Sequence, residues 1–259
     1  METYYIIMFF IIGTVMGSFY HLVATRLAND ESIISPPSHC PKCNHYLRWY
    51  ENIPLISYII QKGKCRECNS RIPISYWIVE LATGILFAVC FHSFGFTLKF
   101  IVSLVFVSSL ITVIVSDIEY MIILDEVIMF STVLIMIIYF IGNGFTKEGL
   151  MASLECFYNG VGAFLIMYAI KIMGDKLFKK ESLGGGDIKL MFIFGMVLGL
   201  PISICTIFLA TFIAFPIALF ILFSDKENII PFGPFLSMAA IILLVTKWQL
   251  MDIIKFLVK

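Results

Sequence analysis

From its first residue the chain alternates between long apolar runs and short polar breaks. A helix needs roughly 20 apolar residues to cross the hydrocarbon core of a bilayer. That length picks out runs at 4–27, 75–95, 97–117, 121–142, 151–173, 188–200, 202–223 and 233–250. The pattern predicts about eight transmembrane helices, the sixth of them short. Breaks of only a few residues separate several runs, so consecutive helices are expected to pack as antiparallel neighbours. The first run, METYYIIMFFIIGTVMGSFY, has no basic residues ahead of it and is too long for the apolar part of a cleaved signal. It reads as a retained first transmembrane helix. No internal repeat or low-complexity tract interrupts the series.

One polar insertion does. Residues 28–74 carry six basic residues, and a segment of this size folds as a small module only if something staples it. The chain therefore divides into a first transmembrane helix at 1–27, a polar module at 28–74 and a membrane domain at 75–259. Composition agrees: 60% of the 259 residues are hydrophobic, 14% are charged and the mean hydropathy is +0.96, far from the soluble norm. The fold class expected is all-α, a polytopic membrane helical bundle with one small stapled insertion and the lipid bilayer as its surroundings. There is no net charge, which gives no reason to expect nucleic acid as a partner.

The distribution of charge is more informative than its sum. Short loops rich in lysine and arginine stay in the cytoplasm. Counted over alternate loops, thirteen of the eighteen basic residues fall on the side of the 28–74 insertion, and Lys99, Lys147, Lys247, Lys255 and Lys259 fall on the other. This places the N-terminus outside and the insertion inside. Asp117, after the third run, and the glycine-rich loop before the sixth share the inner side.

Within the insertion, Cys40-Pro-Lys-Cys43 and Cys65-Arg-Glu-Cys68 form two C-x-x-C knuckles with 21 residues between them. This spacing is near that of structural four-cysteine zinc sites, where each knuckle aims two thiolates at one tetrahedral ion. A reducing compartment argues against disulfides. Redox thiols or an iron site are the other readings of the same four residues. His39 and His45 flank the first knuckle and read as surface residues. Cys90, Cys156 and Cys205 lie in apolar runs and read as small core residues.

Carboxylates at membrane depth are costly, so each needs a partner or a task. Asp117 lies in SDIEYMIILDE, and Asp187 in ESLGGGDIKL. Two carboxylates on different helices and one face of the membrane can meet in a shared cavity. Such a pair is the equipment of aspartic peptidases, in which two close carboxylates share one proton, one activating water and the other polarising the scissile carbonyl. Without side chains, Gly184, Gly185 and Gly186 let an extended substrate backbone approach Asp187 and give the loop freedom. A carboxylate at a helix start is also favoured by capping and the helix dipole alone. Asp125 and Glu119 compete with Asp117 as partner, Asp125 standing eight residues further on the same face of a continuous helix.

Together these segments resemble the type IV prepilin peptidases, the bifunctional leader peptidases and N-methyltransferases of bacterial pilin systems. The likeness covers nearly the whole chain: GSFYHLVATRL, the segment from His39 to Gly84, SDIEYMIILDE, GGGDIKL and IPFGPFL. It implies a membrane aspartic endopeptidase with Asp117 and Asp187 as the catalytic pair and Gly184, Gly186 and Asp187 as the G-x-G-D motif. It also implies structural zinc on Cys40, Cys43, Cys65 and Cys68. Gly185 and Lys189 complete the same motif region, and Glu80, inside the second run, is a candidate for the methylation region or for a hydrogen bond within the bundle. Where the family commonly has Leu-Pro-Asp, this chain has Ile123-Leu124-Asp125, a change at the start of the fourth helix.

The resemblance further implies prepilin or pseudopilin substrates, cleaved on the cytoplasmic side of the inner membrane. The cut follows a glycine that ends a basic leader, and the new N-terminus is then methylated from S-adenosylmethionine. No Gly-rich nucleotide fingerprint follows a strand, so the residues themselves locate no S-adenosylmethionine site. A cation transporter or a non-catalytic metal-binding scaffold is the alternative that the membrane aspartates and cysteines leave open.

Overall fold

The computed structural model describes residues 2–179, 183–222 and 231–248. Lys180, Glu181 and Ser182 of the glycine-rich loop, Ile230, Lys226, Lys255, Lys259 and the last residues of the final two apolar runs lie outside them. Among the described residues the secondary structure is helical: α1 (Glu2–Ala28), α2 (Ile56–Ile60), α3 (Ile74–Phe94), α4 (Leu98–Tyr120), α5 (Asp125–Gly142), α6 (Lys147–Phe178), α7 (Gly185–Leu198), α8 (Leu200–Leu222) and α9 (Gly233–Thr246). Each of the eight apolar runs overlaps one of these helices. Six, namely α1, α3, α4, α5, α6 and α8, are long and apolar enough to cross a bilayer. The protein is thus a multi-pass membrane protein. Helices α7 and α9 have 14 residues each, about 21 Å at a rise of about 1.5 Å per residue, short of a core of about 30 Å.

The chain forms two compact units, Met1–Phe96 and Thr97–Lys259. In the first, α1 and α3 lie against each other with the polar module between them in sequence. Gly13 and Gly17, one turn apart, make the close approach possible: a β-carbon on Gly13 would lie 2.7 Å from the Thr83 carbonyl oxygen, and one on Gly17 would lie 2.9 Å from the Glu80 Cα. In lipid, where apolar side chains gain little from meeting each other, such small-residue contacts hold helices together. Aromatic packing of Tyr5 and Phe9 on Phe91 extends the contact toward the other end.

In the second unit α4 is the central helix. It buries Phe106, Leu110 and Val113 completely, whereas α8 turns Phe208, Phe212 and Phe215 outward. Outward phenylalanines on a spanning helix face lipid. Helix α7 lies along α6, with Gly195 against Gly160.

Three boundaries differ from the apolar pattern. Helix α6 runs to Phe178, past the apolar run, because Gly174 to Phe178 continue the helix into polar surroundings. Helix α7 begins at Gly185, so two of the three glycines belong to its first turn. Helix α5 starts at Asp125 after a break at 121–124: Met121 takes the left-handed conformation that closes α4, and its amide donates to the Asp117 carbonyl at 3.0 Å. Leu124, standing where the family has proline, has φ −73°, within the range a proline ring imposes. The substitution leaves the start of α5 in a proline-compatible shape.

Candidate active site and cysteine cluster

Asp117 lies in the last turn of α4 and Asp187 at the third position of α7, and each is only 7% exposed. The two carboxylates lie close enough for the charge of one to act directly on the other. Their local settings differ in a way that the helix ends explain. Asp187 stands at the positive end of the α7 dipole and reaches back to the Gly184 amide, the reciprocal half of a capping box. Asp117 stands at the negative end of α4, where a carboxylate is disfavoured. Its compensation comes from α9, whose first residue, Gly233, donates its amide to the Asp117 carboxylate. The first amides of a helix have no partner within it. Both aspartates thus take an amide that helix geometry leaves free, and two helix N-termini converge on the pair.

The fit depends on missing side chains. A β-carbon on Gly233 would lie 2.5 Å from Oδ2 of Asp117 and 3.2 Å from Cδ1 of Ile123. One on Gly186 would lie 2.7 Å from both Cβ and Cδ1 of Ile123. Ile123, in the break between α4 and α5, therefore packs against the starts of both α7 and α9. Gly185 has open space where its side chain would be, and a β-carbon on Gly184 would sit at an ordinary 3.4 Å from Oδ2 of Asp187. Of the three glycines, Gly186 is the one that packing requires to be bare. Ile123 and Gly233 lie in segments that the motif reading includes, SDIEYMIILDE and IPFGPFL, but their contacts with the aspartate pair are visible only in the fold.

Asp125 and Lys189 form an ion pair of their own. Lys189 Nζ lies 2.7 Å from each carboxylate oxygen of Asp125, and both side chains are about half exposed. Asp125 is thereby engaged outside the buried pair, and Glu119 is exposed.

In the other unit, Glu80 is buried on α3. Its Oε2 accepts the Leu55 amide at 2.7 Å, and Ser18 of α1 also hydrogen-bonds to it. That arrangement accounts for its carboxylate as a brace between the polar module and the two helices.

The four cysteines of the module converge. Their sulfurs all lie within 4.8 Å of one another, with Cys40 Sγ to Cys68 Sγ at 3.8 Å and Cys43 Sγ to Cys65 Sγ at 3.9 Å. A tetrahedral ion with metal–sulfur bonds of about 2.3 Å needs sulfurs about 3.8 Å apart. The donor set fits such an ion. Burial raises the Cys40 thiol, but the Lys42 amide, the Ser70 hydroxyl and the Cys43 amide outweigh it and bring it down to about 6. At Cys43 the His45 amide pulls downward, yet burial and the neighbouring thiols of Cys68, Cys40 and Cys65 push it up to about 12. Four crowded sulfurs cannot all ionise unaided; a cation among them removes that conflict.

The two knuckles are built alike. Asn44 and Asn69, each directly after a second cysteine, take φ 56° and 55° and return their amides to the carbonyls of Cys40 and Cys65. Asparagine tolerates this left-handed conformation better than most residues, so the repeated Cys-Asn was a readable sign of a pair of matched turns. His39 and His45 stand outside the sulfur cluster: His39 Nδ1 meets the Pro37 carbonyl, and His45 Nε2 lies 3.2 Å from Oε2 of Glu51. Glu51 also accepts the Arg48 amide at 2.9 Å and lies 3.6 Å from Arg66. Burial raises its carboxyl, but these donors prevail and hold it below the usual range.

The sequence is similar to known families. The bacterial peptidase A24 N-terminal domain matches residues 11–94, and the type IV leader peptidase family matches residues 102–219. A prepilin leader peptidase/N-methyltransferase of Bacillus subtilis is 34% identical over 208 residues, covering 79% of this chain and 78% of the relative. The chain belongs to the type IV leader peptidase family. A Vibrio cholerae protein of the same name is 31% identical over 93% of this chain and 97% of its own length. A third, from Myxococcus xanthus, is 36% identical over 73% of this chain, a region that spans 55% of that longer protein. No solved structure matches the chain. The two family matches fall one in each compact unit.

Proposed function

We propose that the protein is a membrane aspartic endopeptidase that removes the leader of type IV prepilins or pseudopilins, with Asp117 and Asp187 as its catalytic pair. One observation carries the reading: two buried carboxylates from α4 and α7 lie within reach of each other's charge, each held by an otherwise free helix-terminal amide. With one proton between them, the ionised carboxylate takes a proton from water as its oxygen attacks the scissile carbonyl. The protonated partner donates to the carbonyl oxygen, and the proton then passes to the leaving amine as the peptide bond breaks. Apparent titration belongs to the pair.

The excess of basic residues supports an inner-membrane orientation with the N-terminus outside and both aspartates near the cytoplasmic face. The open side of Gly185 supports an approach for the substrate backbone beside Asp187. Domain roles follow: 1–27 anchors, 28–74 is a cytoplasmic zinc module on Cys40, Cys43, Cys65 and Cys68, and 75–259 carries the peptidase. Zinc in a closed four-thiolate site staples the module and takes no part in cleavage.

N-methylation of the new N-terminus from S-adenosylmethionine is part of the proposal because the relatives are named as N-methyltransferases. A cavity within the module is lined by Lys62, Lys64 and Arg66 among others. Positive charge does not suit a sulfonium, so no residue is assigned to that cofactor. The transporter and scaffold readings draw no support from relatives named in this way.

The test is incubation of the full-length protein, reconstituted in lipid, with a purified prepilin and mass analysis of the product. Leader removal after glycine is expected, with an N-terminal methyl group when S-adenosylmethionine is added. An intact prepilin would contradict the reading.

A further inference from the structure

Helix α2, Ile-Ser-Tyr-Ile-Ile, is an unusual element for a polar module. Ile56, Ile59 and Ile60 are 55%, 64% and 64% exposed. Spaced at i, i+3 and i+4, they form one face. The opposite side is tied inward: the Tyr58 hydroxyl approaches the Ile72 carbonyl, and its ring tip fills the space beside Gly63.

The position of α2 relative to the membrane follows from one hydrogen bond. Leu55, the residue before α2, donates its amide to Glu80 Oε2 at 2.7 Å. Glu80 lies six residues into α3, about 9 Å along a helix that itself spans the bilayer. The bond holds Leu55 at φ 62°, a conformation that leucine rarely adopts. The start of α2 is therefore held alongside the second turn of α3, a helix long and apolar enough to cross a bilayer. Three exposed isoleucines next to such a helix make an apolar face with no protein partner among the described residues.

Charge supplies the complement. Past the end of α2, Lys62 and Lys64 are exposed, with no ion-pair partner among the described residues. They line a cavity with Ile60, Gln61 and Arg66. Arg66 is already taken by Glu51 and by the Tyr50 ring, 5.1 Å from its guanidinium carbon. The two lysines are left to meet an anion beside an apolar face, the pattern of segments that lie in a membrane interface.

We propose that the α2 face binds anionic phospholipid, with Ile56, Ile59 and Ile60 at the acyl boundary and Lys62 and Lys64 on the headgroup phosphates. The proposal rests on the spans of α1 and α3 and is independent of the cleavage reading. It gives the module a second tether beyond its two chain connections, with Glu80 setting its depth.

The experiment places the photoreactive residue p-benzoylphenylalanine at position 59 of the full-length protein, in nanodiscs of equimolar phosphatidylcholine and phosphatidylglycerol. The same residue in place of Phe212, on the outward side of α8, serves as the lipid-facing control. Illumination should give lipid adducts at both positions. At position 59, phosphatidylglycerol adducts should exceed phosphatidylcholine adducts several-fold, and Lys62→Gln with Lys64→Gln should bring the two to parity. A parallel label at position 56 and the metal content of each variant check that the module is folded. Position 59 without lipid adducts while position 212 labels, equal labelling of both lipids in the unmutated lysine background, or adducts only to an added prepilin would each overturn the proposal.

Discussion

Lys189 Nζ lies 2.7 Å from each carboxylate oxygen of Asp125, joining the first turn of α5 to the second turn of α7 across 64 residues of sequence. Asp187 lies two residues earlier on the same helix. The pair is about half exposed, so its contribution to stability is at most about 1 kcal/mol. Its effect should appear in alignment. Asp125→Ala or Lys189→Ala is expected to slow prepilin cleavage a few-fold while the protein accumulates normally, and exchanging the two residues should recover most of the rate. Initial cleavage rates of the three variants check this.

Ile123 explains why Gly186 carries no side chain. Gly186→Ala drives a methyl group into Ile123 Cβ and Cδ1 and should displace Asp187, with cleavage falling at least tenfold. Ile123→Gly in the same chain removes every carbon that the new methyl group meets and should restore part of the rate. Gly185→Ala, with nothing near its added carbon, should cleave close to normally. Gly233→Ala meets the Asp117 carboxylate directly and should behave like the Gly186 variant, without the same rescue. A cleavage time course on all of these, with membrane insertion checked by fractionation, reads the outcome.

The cysteine cluster predicts one zinc per chain by mass spectrometry of the intact protein. Cys65→Ser should lower metal content or accumulation, while the protein that remains still cleaves. Lost cleavage at unchanged zinc and abundance would contradict a purely structural module.

Glu51 gives the module a pH signature. Its carboxyl is held below the ordinary value of 4.5 by the Arg48 amide, His45 and Arg66, against its burial. A depressed carboxylate adds stability that is fully present above the ordinary value and is lost as pH falls through the lowered one. Glu51→Gln should therefore speed hydrogen exchange of module amides at neutral pH. The difference from wild type should shrink below about pH 4. Exchange measured on the full-length protein at several pH values tests the sign.

Much of this architecture is legible in the sequence, for identifiable reasons. Apolar runs of bilayer length give the helices because lipid admits few other backbone solutions. The cysteine knuckles give the module because their spacing is local. The aspartate pair needed the family resemblance, since nothing in a single chain says which of Asp117, Glu119 and Asp125 meets Asp187. What stayed hidden depends on distant contacts. Helix α7 begins at Gly185 although glycine is a poor helix former, because Asp187 caps the Gly184 amide and Gly186 packs on Ile123. The amide of Gly233 and the lysine partner of Asp125 come from other helices. The hydrogen bond from Leu55 to Glu80 is likewise a contact that only the folded module displays.

Asp117 and Asp187 are proposed to act together. Co-expression of a prepilin with wild-type protein, Asp117→Asn and Asp187→Asn tests it most directly, with leader removal followed by mass. Each substitution keeps the side chain's size. Wild type should clip the leader and either variant should leave it intact, with both variants accumulating in the membrane. Normal processing by either variant would contradict the joint role.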